Sequence, residues 1–245
     1  MIGPTPPTSG PEPLLLIPGL MMDARAYWHQ IITISSSRPV QVASLGALPS
    51  VEEMARAVLE HAPPRFAVAG HWLGALVAME ILKRAPERVT RIALMDVNPL
   101  PENPQVAAAR EPRLVGARAG RLAEMMLQEV PASTLAPGPG LIEVQAIVQD
   151  MADAMGVDAY LAQSRALVRR PDHQRTLRTA RLPALVLCGE HDTLCPVRRH
   201  EFLAELMPHA RFELIRNAGH LPMLEQPEAV TAALLGWLTA PLLLR

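Results

Sequence analysis

Cysteine is scarce in this chain of 245 residues, which carries only Cys188 and Cys195. The two stand seven positions apart around the tight-turn sequence Gly189-Glu190-His191-Asp192, a poor setting for a structural disulfide. Reduced thiols and a cytoplasmic location are expected. Neither sign of charge dominates: 23 basic and 24 acidic side chains leave a net charge of −1, with no long run of either. This argues against nucleic acid or an anionic membrane as a main partner. A spanning helix needs roughly 20 apolar residues. The stretch Thr231–Leu244 falls short of that and is interrupted by Pro241, so no membrane association is expected. The start, Met1 to Pro13, has five prolines and no basic region leading into an apolar one. It reads as an extended arm rather than a secretion signal. No segment has the spacing of a phosphate-binding loop, and His191-Asp192 has no third partner for a metal, so neither metal nor cofactor is expected.

What the chain does have is apolar bulk. With 49% hydrophobic residues it can bury a sizeable core as one α/β domain. Short apolar runs alternate with helical patterns, the signature of parallel βαβ units. Strands are predicted at Leu14–Ile17, Val40–Ala43, Phe66–Ala69, Arg91–Met95, Ala184–Cys188 and Arg211–Ile215. Helices are predicted at Ser50–His61, with Ser50 capping and Glu53 at the capping-box position, at Leu73–Ala85, at Pro196–Met207, and from Pro227 to about Leu238. The interval from Pro101 to about Leu182 breaks this rhythm. It holds helical patterns near Val106–Glu129, Leu141–Met155 and Ala159–Arg169, with a loop at Pro131–Gly140 where three prolines and two glycines fall. The expected organisation is an arm at 1–12, a core at 13–100 and 183–245, and an inserted all-helical cap at 101–182. Met21, Met125, Met126, Met151 and Met155 are expected to line a malleable apolar substrate pocket.

Three segments carry chemistry. Leu15-Leu16-Ile17-Pro18-Gly19-Leu20 is a strand running into a turn. Ala69-Gly70-His71-Trp72-Leu73-Gly74 joins a strand to a helix and matches G-x-S-x-G except at its middle residue. Gly189-Glu190-His191-Asp192 and Asn217-Ala218-Gly219-His220-Leu221-Pro222 each follow a strand, and 28 positions separate Asp192 from His220. In this order the segments resemble the α/β-hydrolase superfamily, most nearly its small esterase and lactonase branch with a helical cap. The resemblance covers the chain from Leu14 to Leu238. It implies a mostly parallel sheet with helices on both faces, here trimmed to about six strands because so few residues precede the first one. It further implies that His220 is the general base and Asp192 the acid that orients it, with Asp96 as an alternative acid. The backbone N–H groups of Leu20 and Leu73 would form the oxyanion hole, and Pro18 stands where the family's oxyanion loop has His. The implied substrate is a small apolar ester.

Trp72 stands in the nucleophile's place. An indole carbon framework cannot attack a carbonyl as an activated hydroxyl does. His71 reads as a packing residue beside the turn, and Cys195 as a passive thiol, since nothing flanking it would lower its pKa. Three readings follow: an ester hydrolase whose nucleophile has been replaced; an enzyme of another type, such as a lyase, cyclase or proton-transfer catalyst, using His220-Asp192 as a base; or a non-catalytic ligand-binding protein. An open cavity beside Trp72 within reach of His220 would favour the second, and an indole plugging the pocket would oppose it.

Overall fold

The computed structural model describes residues 10–242. Six strands form one parallel sheet: β1 (Leu14–Ile17), β2 (Val40–Val42), β3 (Phe66–His71), β4 (Val89–Met95), β5 (Ala184–Gly189) and β6 (Ala210–Ile215). Their order across the sheet is β2-β1-β3-β4-β5-β6. The inner strands β1, β3 and β5 are buried at every position, whereas the edge strands β2 and β6 are mostly half-buried. That is why the inner strands read as unbroken apolar runs rather than alternating ones.

Ten helices accompany the sheet among the described residues: α1 (Trp28–Ser35), α2 (Val51–His61), α3 (Leu73–Arg84), α4 (Pro104–Arg118), α5 (Leu122–Glu129), α6 (Leu141–Val168), α7 (Gln174–Thr179), α8 (Val197–Leu206), α9 (Pro222–Glu225) and α10 (Pro227–Thr239). The α2 cap forms as predicted, with the Ser50 hydroxyl accepting the Glu53 N–H at 3.2 Å. The helix α3 packs against β1, β3 and β4, α8 against β5 and β6, and α1 against α10. The helices α4, α5 and α6 between β4 and β5 pack mainly on one another. Where one pattern was predicted over Val106–Glu129, Gly120 at φ 81° ends α4 and separates α5. Where two were predicted, Gly156 (φ 80°, ψ 173°) is non-helical and divides α6 into two helical runs at that point.

The predicted arm at 1–12 lies mostly outside the described residues. Its last members are held: Glu12 pairs with the buried Arg91 at 2.9 Å. Three helices escaped prediction. The face of α1 shows exposed Trp28 and Ile32, so its apolar stripe is blurred. The short α7 and α9 carry too few turns for any period to register.

Chain direction places the site. From β1 the chain moves outward to β2, then returns to the other side of β1 as β3. The carboxyl ends of β1 and β3 therefore border a topological switch point, where open α/β sheets leave a crevice. Here Ile17 pairs with Gly70, so both strands end side by side. The first turn of α3 is pressed against the β1 end: a Cβ on Gly74 would collide with the Ile17 and Pro18 carbonyls. Replacing Gly74 by Val is expected to destabilise the protein by about 3 kcal/mol or prevent folding, because backbone cannot yield as a side chain can. A thermal melt followed by circular dichroism checks this, and an unchanged midpoint would contradict the close approach.

Candidate active site

The site is assembled at strand ends. Among the described residues, four non-glycine residues adopt left-handed backbone: Met21 (φ 55°), Trp72 (φ 46°), Asp96 (φ 45°) and Asn217 (φ 55°). They follow β1, β3, β4 and β6 respectively. Such conformations cost on the order of 1–3 kcal/mol each and collect at functional sites. Trp72 is fixed by its own N–H, which donates to the Met95 carbonyl at 3.0 Å, while α3 starts at the next residue.

His220 and Asp192 meet as their motifs predict. The imidazole Nδ1 lies 2.9 Å from Asp192 Oδ2, and neither side chain is exposed. The other carboxylate oxygen, Oδ1, accepts the N–H groups of Leu194 (2.8 Å) and Cys195 (2.9 Å). Burial alone would raise the Asp192 carboxyl, but the His220 charge and these hydrogen bonds outweigh it and hold the group below its ordinary value. The far imidazole nitrogen, Nε2, is buried and has no hydrogen-bond partner. The Trp72 indole packs edge-on against this ring, with centroids 4.8 Å apart at 85°. Trp72 itself is only 6% exposed and His220 fully buried.

The loop bearing His220 is held by one carboxylate. Glu225 Oε2 accepts the N–H groups of Gly219 (2.9 Å) and Ala136 (2.6 Å), and Oε1 accepts that of Leu221 (2.9 Å). The His220 N–H donates to the Thr134 carbonyl at 2.8 Å. From the other side the His71 Nε2 lies 2.8 Å from the His220 carbonyl oxygen. Burial, and then the neighbouring His220, push His71 down to about 3, so it stays neutral and serves as a hydrogen-bonding pillar.

Leu20 lies in the turn after β1, and Leu73 opens α3. The Leu73 N–H belongs to the first helical turn, which has no intrahelical acceptor. The loop after Leu20 is tied to the helical interval: Gln163 of α6 accepts the Met21 N–H at 2.8 Å and donates to the Gly46 carbonyl at 2.9 Å. Nothing in the sequence marked Gln163, because an isolated glutamine within a helical pattern carries no local signal.

Asp96, the alternative acid, is buried behind Asp192, where its Oδ1 accepts the Gly189 N–H at 3.0 Å. Burial and the Asp192 charge raise it well above its ordinary value, which favours its protonated form. The carboxylate in contact with the His220 imidazole is Asp192. His200 completes the surroundings: its Nε2 accepts the Val97 N–H at 2.8 Å, and burial holds it down to about 4. Among the described residues, Asp192, Cys195 and His220 have donor atoms within 4.8 Å of one another. As a metal site this set is poor. Two members are engaged with each other, and the Cys195 thiol is pushed up by burial and by Asp192, opposite to what a ligand thiolate requires.

Of the five methionines expected to line a substrate pocket, none borders the cavity beside Trp72. Met21, Met125, Met126 and Met151 are buried in the core and Met155 packs against it. Met125 is wedged against Gly116, and the Met151 sulfur accepts the Asp23 N–H at 3.4 Å. The cavity that Trp72 borders is lined instead by residues after β4 and β5 and by arginines. Core and pocket positions on a helix share the same period, so the sequence pattern alone does not separate them.

The sequence matches the alpha/beta hydrolase family over residues 14–233. The chain belongs to that family. Among curated relatives, a pimeloyl-[acyl-carrier protein] methyl ester esterase of Aromatoleum aromaticum is 28% identical over 196 residues, 74% of this chain and 76% of the relative. Solved structures of the same fold include a thermophilic esterase from Thermogutta terrifontis, with a TM-score of 0.83 and 24% identity over 94% of this chain and 90% of that one. An enol-lactonase from Burkholderia xenovorans LB400 gives 0.82 and 21% over 95% and 93%. As an alpha/beta hydrolase the chain has esterase-like homologues, and no described helix is long and apolar enough to cross a membrane.

The buried histidines make a pH prediction. His71 and His200, and by burial also His173, are held below the ordinary histidine value, so each takes up a proton when the chain unfolds as pH falls below about 6.5. Their contribution is complete above that pH and is lost on acidification; Asp96, with its raised value, acts in the opposite sense, releasing a proton on unfolding. Replacing His200 by Gln, whose amide oxygen can accept the Val97 N–H, should remove one such proton. Between pH 4.5 and 6 the stability curve should flatten by about 1.4 kcal/mol per pH unit. Urea unfolding at four pH values reads this, and an unaltered slope would show that His200 is not held neutral. Replacing Glu225 by Ala strands three N–H groups and should cost about 2–4 kcal/mol in the same assay.

Proposed function

We propose that this chain carries the apparatus of a carboxylic-ester hydrolase in which Trp72 occupies the nucleophile's position, so that serine-type hydrolysis is absent from the protein as it stands. In this reading Asp192 orients His220, His220 Nε2 is the base without a proton to take, and the Leu20 and Leu73 N–H groups frame the oxyanion hole. Residues 101–182 serve as a helical cap over a core of 13–100 and 183–245. The ester class is supported by relatives named for a methyl ester and by an enol-lactonase of the same fold.

One observation carries the reading. The base is set, with Nδ1 on Asp192 and Nε2 unpartnered, while the side chain beside it is an indole held on the strained turn before α3. A hydroxyl at position 72 would give its proton to Nε2 as its oxygen bonded to the substrate carbonyl, and Asp192 would stabilise the resulting imidazolium. The proton-transfer reading fares worse. It needs a cavity within reach of His220, but His220 is fully buried and the cavity is bordered by Trp72 in its stead. A ligand-binding role draws support from that same cavity.

Trp72→Ser is expected to hydrolyse short p-nitrophenyl esters on the order of 10²–10⁴ times faster than the unaltered chain. Trp72→Ala, which opens the same space without supplying a nucleophile, should stay at background. Equal rates for Ser and Ala would refute a nucleophile's seat at 72, and adding Asp192→Asn to the Ser variant should return it towards background.

A further inference from the structure

The cavity beside Trp72 has a volume of about 470 Å³, in the range of small-molecule sites. Trp72, Leu76 and Val106 give it apolar surface, yet four arginines, 110, 170, 198 and 199, also line it. Their charge is not balanced. Glu102 Oε2 is 2.9 Å from Arg170 Nη1 and 3.5 Å from Arg110 Nε. Glu129 is shared by Arg110 at 2.8 Å and Arg113 at 3.1 Å. Three guanidinium groups thus face two carboxylates, leaving one positive charge over. Arg110 is 5% exposed, and its Nε has no hydrogen-bond partner. Arg198 and Arg199, in the first turn of α8, take part in no ion pair among the described residues.

We propose that this cavity is a binding site for a small amphipathic oxyanion, a carboxylate or phosphate seated against Arg198 and Arg199 with its apolar body on Trp72, Leu76 and Val106. Arg198 and Arg199 line the more open side of the cavity with no carboxylate paired to them, and an oxyanion would supply that partner. Guanidinium groups offer the planar paired donors that carboxylates and phosphates accept. The apolar wall excludes a bare inorganic ion as the best fit. Recognition of this kind needs no turnover, so it stands whether or not position 72 is a nucleophile's seat.

Isothermal titration of the full chain with hexanoate, hexyl phosphate, 1-hexanol and inorganic phosphate tests it. Hexanoate or hexyl phosphate should bind saturably, at least about tenfold tighter than both hexanol and inorganic phosphate, and the better of the two identifies the headgroup. The double variant Arg198→Ala/Arg199→Ala should weaken that binding at least about tenfold. Its fold is expected to survive, since Arg198 is exposed and Arg199 half-buried, and a thermal melt verifies this. Arg175→Ala/Arg178→Ala, an equal loss of two charges at exposed positions of α7, should bind as the unaltered chain does. Absence of saturable binding by either anion overturns the proposal. So does hexanol or inorganic phosphate binding as tightly, or a double variant with unchanged affinity.

Discussion

The sharp reversal from β3 into α3 is the constraint on which the remainder of the site depends. A helix that begins immediately at a strand's end must press its first turn on the neighbouring strand, and Gly74 meets the β1 carbonyls with no room for a Cβ. The residue before the helix is thereby driven to a left-handed backbone, with φ 46° at Trp72. An aromatic side chain gains nothing from that conformation. What offsets the strain is burial of the indole and its edge-on contact with His220. The turn thus fixes where residue 72 points, whatever residue stands there.

Behind the turn, side chains hold the loops that carry the site. Glu225 holds the His220 loop, Gln163 the loop after β1, and His71 the His220 carbonyl. The buried atoms near the site without a hydrogen-bond partner include His220 Nε2, His71 Nδ1 and His200 Nδ1. Unpaired groups of this kind are disfavoured in a folded core unless a reaction or a ligand uses them. Of these atoms, His220 Nε2 is the one on which the proposed base role rests.

Much of the architecture was legible. Six apolar runs became six strands within a residue or two, because inner parallel strands bury both faces and leave uninterrupted hydrophobic stretches. The meeting of Asp192 and His220, 28 positions apart, could be anticipated from the turns that follow β5 and β6. What stayed hidden depends on three-dimensional register. The methionines of α5 and α6 pack in or against the core and none borders the cavity beside Trp72, and helical periodicity does not distinguish those destinations. The arginine-lined cavity draws on four distant stretches, around Trp72, Arg110, Arg170 and Arg198, so no local motif announces it. Gln163 and Glu225 matter only through the backbone they hold, which sequence spacing does not encode.

The central claim is that residue 72 stands where a nucleophile would be served by His220. Intact-mass spectrometry after exposure to an alkyl fluorophosphonate addresses it most directly. A single adduct on the Trp72→Ser variant, mapped to residue 72 and absent from both the unaltered chain and the Trp72→Ala variant, is the predicted result. No adduct on the serine variant, or an adduct on Cys195 of the unaltered chain, would contradict the account.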